Sequence, residues 1–196
     1  MMGAVLGIER DEMRPLFPQL SKDLMYGVRL RAPIRKETHG FIVRKLKRDK
    51  GDSLTTRRRY EFLRDPHFQI AVALADDRSA SYFDRFRADV EKQKATFPPV
   101  LGWHNCPASL RLLSIGTCSD VQHGDFEARC FVSNDHEVNT RDADFHVGID
   151  RVPTYQEDFW NLPDQYQTIV YPFGDHALEA TGEFYEYDNG ERWWLI

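Results

Sequence analysis

Thr55–Leu74, TTRRRYEFLRDPHFQIAVAL, joins three consecutive arginines to the clearest strand pattern in the chain. In its second half Phe68, Ile70, Val72 and Leu74 alternate with Gln69, Ala71 and Ala73. A period of two is the mark of a strand. Downstream, Asp76–Ser79 reads as a turn and cap. Tyr82, Phe83, Phe86 and Val90 then recur at helical spacing, with Arg85, Arg87, Glu91 and Lys92 on other faces. The spacing predicts a helix over Ser79–Lys94. It ends before Phe97-Pro98-Pro99, because a residue that precedes proline is pushed out of the helical region. Upstream, Tyr26–Ile34 sets Val28, Leu30 and Ala32 against Arg29, Arg31 and Pro33, a strand with one basic face. Gly40–Lys47 is a second β-prone stretch, Asp49–Ser53 supplies turn chemistry with Gly51, and Arg57–Arg64 reads as a returning strand. Together these make Ile34–Thr56 a long basic hairpin or arm.

The ends of the chain fill in around this centre. Met1–Met13 reads as the end of a helix that stops near Pro15, with Pro15 and Pro18 bracketing a loop. Leu101–Pro107 is a loop, and Ala108–Ile115 has a strand pattern. After Gly116 come short β-prone runs: Phe126–Val132, Phe145–Val152, Thr168–Phe173, Gly182–Tyr187 and Arg192–Ile196. Asp188-Asn189-Gly190 is a hairpin turn signal. Trp193 and Trp194, beside Leu195 and Ile196, suit a core or a subunit interface. The order of elements predicts an α+β protein with a mostly β carboxyl-terminal part.

Charge is divided unevenly along this order. Thirteen of the 26 basic residues lie between Arg29 and Arg64, against four acids, a net of +9 in a chain of net −5. Residues 65–196 carry 10 bases and 23 acids. A basic stripe in an acidic protein points to a phosphate backbone as partner, and the alternative is a solvated loop. Phe41, Ile42, Val43, Leu46, Leu54, Tyr60 and Phe62 are threaded through the stripe, which argues against a mere tail.

Composition excludes several classes. Hydrophobic content of 41% with 29% charge describes a globular chain rather than a disordered one. No apolar run approaches the roughly 18–20 residues of a membrane helix, and the start lacks the basic leader of a secretory signal. Cys106, Cys118 and Cys130 are odd in number and form no close pair, so buried thiols in a cytoplasmic protein are expected rather than disulfides. Their spacing of twelve, with His104, His123 and His136, invites a metal reading, but zinc ligands usually come in close pairs. No phosphate-binding loop, G-x-S-x-G elbow or dinucleotide glycine fingerprint is present.

Arg59–Asp65, the alternating strand Phe68–Leu74, the helix Ser79–Lys94 and the loop Pro99–Pro107 (PVLGWHNCP) stand in an order and spacing that resemble the CRISPR-associated Cas-five family. These proteins are subunits of type I Cascade surveillance complexes. MMGAVLGIERDE and YGVRLRAPIRKETHG also look like the family's first helix and the strand leading into its thumb, closest to type I-B members. The resemblance covers Met1–Gly116 well and the remainder loosely. It implies a ferredoxin-like, RNA-recognition-motif-like core over 1–116, a basic thumb hairpin at about 34–56 and a β-rich extension over 117–196. It also implies a protein that caps the 5′ handle of CRISPR RNA, meets the backbone and large subunits and reaches target DNA only indirectly. It implies neither a cofactor nor a membrane. The family's first strand has no counterpart here, so a start codon placed late, or a trimmed member whose gap another subunit fills, is expected.

The site implied is an RNA-binding one. Arg57, Arg58 and Arg59 would hold handle phosphates at the root of the arm. Arg35, Lys36, Arg44, Lys45, Lys47 and Arg48 would line it, with Arg31, His39 and Tyr60 beside them. Trp103 and His104, in the Pro99–Pro107 loop, are candidates to stack a base, Trp103 equally to pack the loop. Type I-C relatives are metal-independent ribonucleases, and that chemistry needs an acid–base group near the 2′-OH and a cation on the phosphate. Here His39 and Tyr60, with Lys36 or Lys45, are the candidates. The histidine or basic residue that type I-C members carry just before the loop proline is replaced by Phe97-Pro98, so a non-catalytic subunit is the expectation and an endoribonuclease the alternative.

Overall fold

The computed structural model describes residues 1–46, 53–102, 106–141, 143–155 and 165–196. Two helices open the chain, α1 (Met2–Leu6) and α2 (Arg10–Asp23). Gly7 separates them in a left-handed conformation, φ 68°, where a Cβ would also collide with Thr96. The expected loop between Pro15 and Pro18 is absent: both prolines lie inside α2. Each removes one backbone donor, but the helix is fixed from outside. Met13, Leu20 and Asp23 are buried along it, and the Glu9 N–H donates to Glu12 Oε2 at its start. Tertiary burial overrides a local breaker here.

Asp23 ends α2 with no exposed surface. Its carboxylate accepts from Ser79 Oγ at 2.7 Å and from Arg78, while its carbonyl accepts from the Ala75 and Asp76 N–H groups. These bonds, Ser79 first, hold the acid below its ordinary 3.8. They tie α2 to the strand end that leads into the second half of the unit.

Strand β1 (Leu24–Leu30) follows, then a hairpin of β2 (Arg35–Leu46) and β3 (Ser53–Arg64), then β4 (Phe68–Leu74). β1 and β4 pair antiparallel from Leu24↔Leu74 to Leu30↔Phe68. The helix expected after β4 forms as a 3-10 turn, Asp77–Ser79, and α3 (Ala80–Glu91), which packs on α1. Ala108–Ile115 is not a strand. Its alternation meets no partner ladder among the described residues, and Leu113 and Ile115 stay more than half exposed.

The rest is β, as expected. β5 (Gln122–Ala128), β6 (Val132–Ser133), β7 (Glu137–Asn139), β8 (Val147–Tyr155), β9 (Gln165–Pro172), β10 (Leu178–Glu186) and β11 (Arg192–Trp193) form two sheets. In one, β10 is flanked by β5 on one side and by β7 and β11 on the other; in the other, β9 sits between β6 and β8. Asp188-Asn189-Gly190 makes the predicted turn between β10 and β11, with Gly190 at φ 84°. The main core gathers Phe126, Leu178, Phe184, Trp193 and Leu195, and Met25, Ala71 and Ala73 of the β1–β4 sheet pack against it. A second cluster joins Leu30 to Ile169 and Tyr171. Both edges of apolar contact therefore run across residue 116. The outer edge of β1 is also closed: Tyr26 and Ile196 exchange both backbone bonds, and Phe131 N–H donates to the Val28 carbonyl. The other edge of β4 pairs with no strand among the described residues. The architecture is α+β.

Candidate nucleic-acid interface

The part of the basic stripe from Arg35 on contributes two paired strands, the β2–β3 ribbon. Its pairs run from Arg35↔Arg64 at the base through His39↔Tyr60 and Ile42↔Arg57 to Leu46↔Ser53. Apart from its own two strands, the ribbon makes only marginal contact with the other elements. The arm is thus longer than 34–56, because its return strand runs on to Arg64. Arg57, Arg58 and Arg59 consequently sit opposite Ile42, Phe41 and Gly40, part-way along the ribbon and not at its root. The reason is register: the ladder begins at Arg35↔Arg64, next to β1 and β4, so the root falls there.

Register also divides the side chains. Opposed residues in an antiparallel pair share a face, and successive residues alternate. One face carries Arg35, Glu37, His39 and Phe41 with Arg64, Phe62, Tyr60 and Arg58. The other carries Lys36, Thr38 and Ile42 with Leu63, Glu61, Arg59 and Arg57. The arginine triplet is therefore split, Arg58 to the first face and Arg57 and Arg59 to the second. On the first face the rings form a cluster. His39 meets Phe62 edge-on at 5.6 Å, and Phe41 meets Tyr60 at 5.6 Å and Phe62 at 6.0 Å.

Among the described residues, carboxylates compensate the ribbon at its base. Glu37 takes Arg64 at 2.9 Å and lies 3.6 Å from His39 Nε2, and Lys36 meets Glu61 at 3.4 Å. Such exposed pairs contribute about 0–1 kcal/mol. Arg35, Arg57, Arg58 and Arg59 have no carboxylate within ion-pair distance among the described residues. They are exposed cations, which is what a phosphate chain requires.

Other expected contacts fall differently. Arg29 belongs to the stripe by sequence but is buried, held by Asp175 and by Glu191 at 3.2 Å. Arg31 reaches the same Asp175 at 3.5 Å. These two cations join β1 to the segment after β9, and Arg29 keeps Asp175 below its ordinary 3.8. Arg44 and Lys45 are in β2, opposite Thr55 and Leu54, but their side chains lie outside the described residues, as do Lys47, Arg48, Trp103 and His104 altogether. His39 and Tyr60 are brought directly opposite one another; Lys36 is on the reverse face. Phe41 and Phe62 are the site residues that sequence reading left unassigned. Their period of two with His39 and Tyr60 was visible, but only the register places all four on one face.

The cysteines are corrected in part. Cys130 is a buried thiol, pushed up to about 11 chiefly by desolvation. Cys118 is exposed and Cys106 half-buried, since both lie outside the packed strands. Among the described residues, no group of three or more His, Cys, Asp or Glu side chains is arranged to hold a metal ion. No helix among them is long and apolar enough to cross a membrane. Compared with known proteins, the chain matches no family model and no curated protein sequence.

Proposed function

We propose that this chain is a non-catalytic RNA-binding subunit that holds the 5′ handle of a CRISPR guide RNA on its β2–β3 arm within a type I surveillance complex. One observation carries the RNA-binding part: Arg35, Lys36, Arg57, Arg58, Arg59 and Arg64 are exposed on one ribbon, in a chain whose residues 65–196 carry 10 bases and 23 acids. Phosphates are drawn to the ribbon and repelled by the rest. The sequence resemblance supplies the guide RNA, the Cascade setting and the protein partners, the backbone and large subunits. The antiparallel β1–β4 pair, the arm between its strands and the helix after β4 are the parts that a ferredoxin-like core would share. The test is filter binding of handle RNA to the purified chain at several salt concentrations. A log–log slope steeper than that of a variant lacking arm arginines supports the reading, and salt-independent or absent binding removes it.

The second reading is a metal-independent ribonuclease. Its favouring observation is His39 opposite Tyr60, with Glu37 3.6 Å from the imidazole. Incubation with repeat RNA in EDTA separates the two.

A further inference from the structure

Strand β4 has the make-up of an interior strand and the position of an edge strand. Its sequence, FQIAVAL, carries no charge and no proline, and its ladder with β1 runs without a bulge. Charges, prolines and bulges are what usually keep other chains from pairing with an edge. The backbone bonds fix which groups face outward. Arg31 N–H donates to the His67 carbonyl, and Ala75 N–H to the Asp23 carbonyl. In an antiparallel ladder the bonded pairs recur at every second residue. Gln69, Ala71 and Ala73 therefore bond to β1, and the N–H and C=O groups of Phe68, Ile70, Val72 and Leu74 point to the open edge. β1 follows the same alternation: the outward groups of Tyr26 and Val28 meet Ile196 and Phe131. Among the described residues, no strand pairs with the outer edge of β4. Its side chains are left open in the same place. Ala71 and Ala73 press on the main core and Phe68 on the second cluster, but Ile70, Val72 and Leu74 belong to neither, and Ile70 is 41% exposed.

We infer that two copies of this chain join at this edge, β4 against β4 of the second copy, in one four-stranded antiparallel sheet. Parity allows it. With Ala71 on a two-fold axis, Ile70 stands opposite Val72 of the second copy and Phe68 opposite its Leu74, and all of these are residues whose backbone groups face the edge. Charge allows it as well, because an uncharged strand sets no like-signed pair across the axis. Closure favours a second copy over an indefinite series of chains. The outer edge of β1 is already taken by Ile196 and Phe131, so the joined sheet ends on a covered strand at each side. A two-fold contact of this kind stops at two copies. Because the joined strands run antiparallel, the two β2–β3 arms leave from opposite ends of the sheet. The inference is independent of the RNA-binding reading, since β4 supplies none of the arm's exposed cations.

Sedimentation equilibrium of the full chain over a range of concentrations decides it, after nuclease treatment so that no RNA bridges the copies. The parent should tend to twice the mass of one chain as concentration rises. Val72→Pro removes an outward N–H that β1 does not use, and proline is tolerated on that side of an edge strand. This variant should keep the mass of one chain throughout. Ile70→Lys leaves the backbone intact and sets two charges per dimer against the apolar Val72 positions, so its dissociation constant should rise about tenfold or more. Circular dichroism checks that each variant is folded; should Val72→Pro lose its fold, Ile70→Lys decides alone. A parent with the mass of one chain at every concentration would overturn the pairing and leave the edge to a strand of another protein. A dimer that a folded variant keeps unweakened would place the contact elsewhere and also overturn it, as would masses that climb past two chains.

Discussion

The protein contains two antiparallel two-stranded sheets built on opposite terms. In the β1–β4 pair, Leu30 is 2% exposed and packs on Ile169 and Tyr171, while Ala71 and Ala73 press on the main core. In the β2–β3 ribbon, Ile42 is 65% exposed and the ladder is nearly twice as long. The charges follow suit. Arg29, in the first sheet, is buried and neutralised by Asp175 and Glu191; Arg57 and Arg59, in the second, face solvent. One sheet uses the rest of the protein to hold it, and the other is left available to something outside. Neighbouring stretches of one basic segment thus serve a core and a surface.

The widest way to sharpen this comparison is to truncate one apolar residue in each sheet. Leu30→Ala should cost about 2–5 kcal/mol, because it removes a filled core volume where β1 meets β9. Ile42→Ala should change global stability by no more than about 0.5 kcal/mol, since its side chain is largely in water already. Urea melts followed by circular dichroism give both values. A large cost for Ile42→Ala would mean that the ribbon packs on the body after all.

A second comparison sets the anchored half against acid. Asp23, through Ser79 and Arg78, and Asp175, through Arg29, both have folded pKa values below their ordinary 3.8. A depressed carboxylate contributes stability that is fully present above its unfolded pKa and is lost as pH falls through the folded one. The melting temperature should therefore hold from neutral pH to about the unfolded value and fall below it. Asp23→Asn cannot be protonated, so this variant should melt lower at neutral pH and show a shallower acid limb. Parallel curves for variant and parent down to the lowest pH would show that Asp23 contributes nothing to the linkage.

The strand Phe68–Leu74, the helix after it and the paired basic strands were all legible in sequence, because each rests on a local signal, alternation or 3.6-residue recurrence; the turn expected at Gly51 lies outside the described residues. What was not legible depended on partners distant in sequence. Pro15 and Pro18 read as a loop because the buried Met13, Leu20 and Asp23 that hold α2 cannot be seen locally. Ala108–Ile115 read as a strand because a pattern says nothing about whether a ladder waits for it. The site was half legible for the same reason. Its charge showed in composition, but the split of Arg57, Arg58 and Arg59 between two faces, and the gathering of Phe41 and Phe62 with His39 and Tyr60, are facts of register.

That split leads to a third, milder test. Arg57→Ala with Arg59→Ala empties one face of two cations and leaves Arg58 and the rings in place. Each lost phosphate contact should lower the single-strand salt slope by roughly 0.7, or about 1.4 for the pair. Stability should stay within about 0.5 kcal/mol, as for other exposed positions. An unchanged slope, measured by filter binding at several salt concentrations, would mean that this face does not touch the backbone and that Arg58 alone of the triplet can.

The smallest expected effect is in catalysis, where the expected product is nothing. Transfer within an RNA chain needs a base at the 2′-OH, an acid at the leaving oxygen and a cation on the phosphate between them. The arm offers a base and a possible acid at one point, His39 opposite Tyr60, but Lys36 projects from the reverse face and pairs with Glu61. Arg58 shares the face, two residues from Tyr60 along β3 and opposite Phe41. Repeat RNA incubated with the purified chain in EDTA should therefore remain full-length, and His39→Ala should change binding without changing the RNA. A specific cut inside the repeat that His39→Ala abolishes would reverse this assignment: the aromatic face would then orient a scissile nucleotide, and the chain would process its guide instead of only holding it.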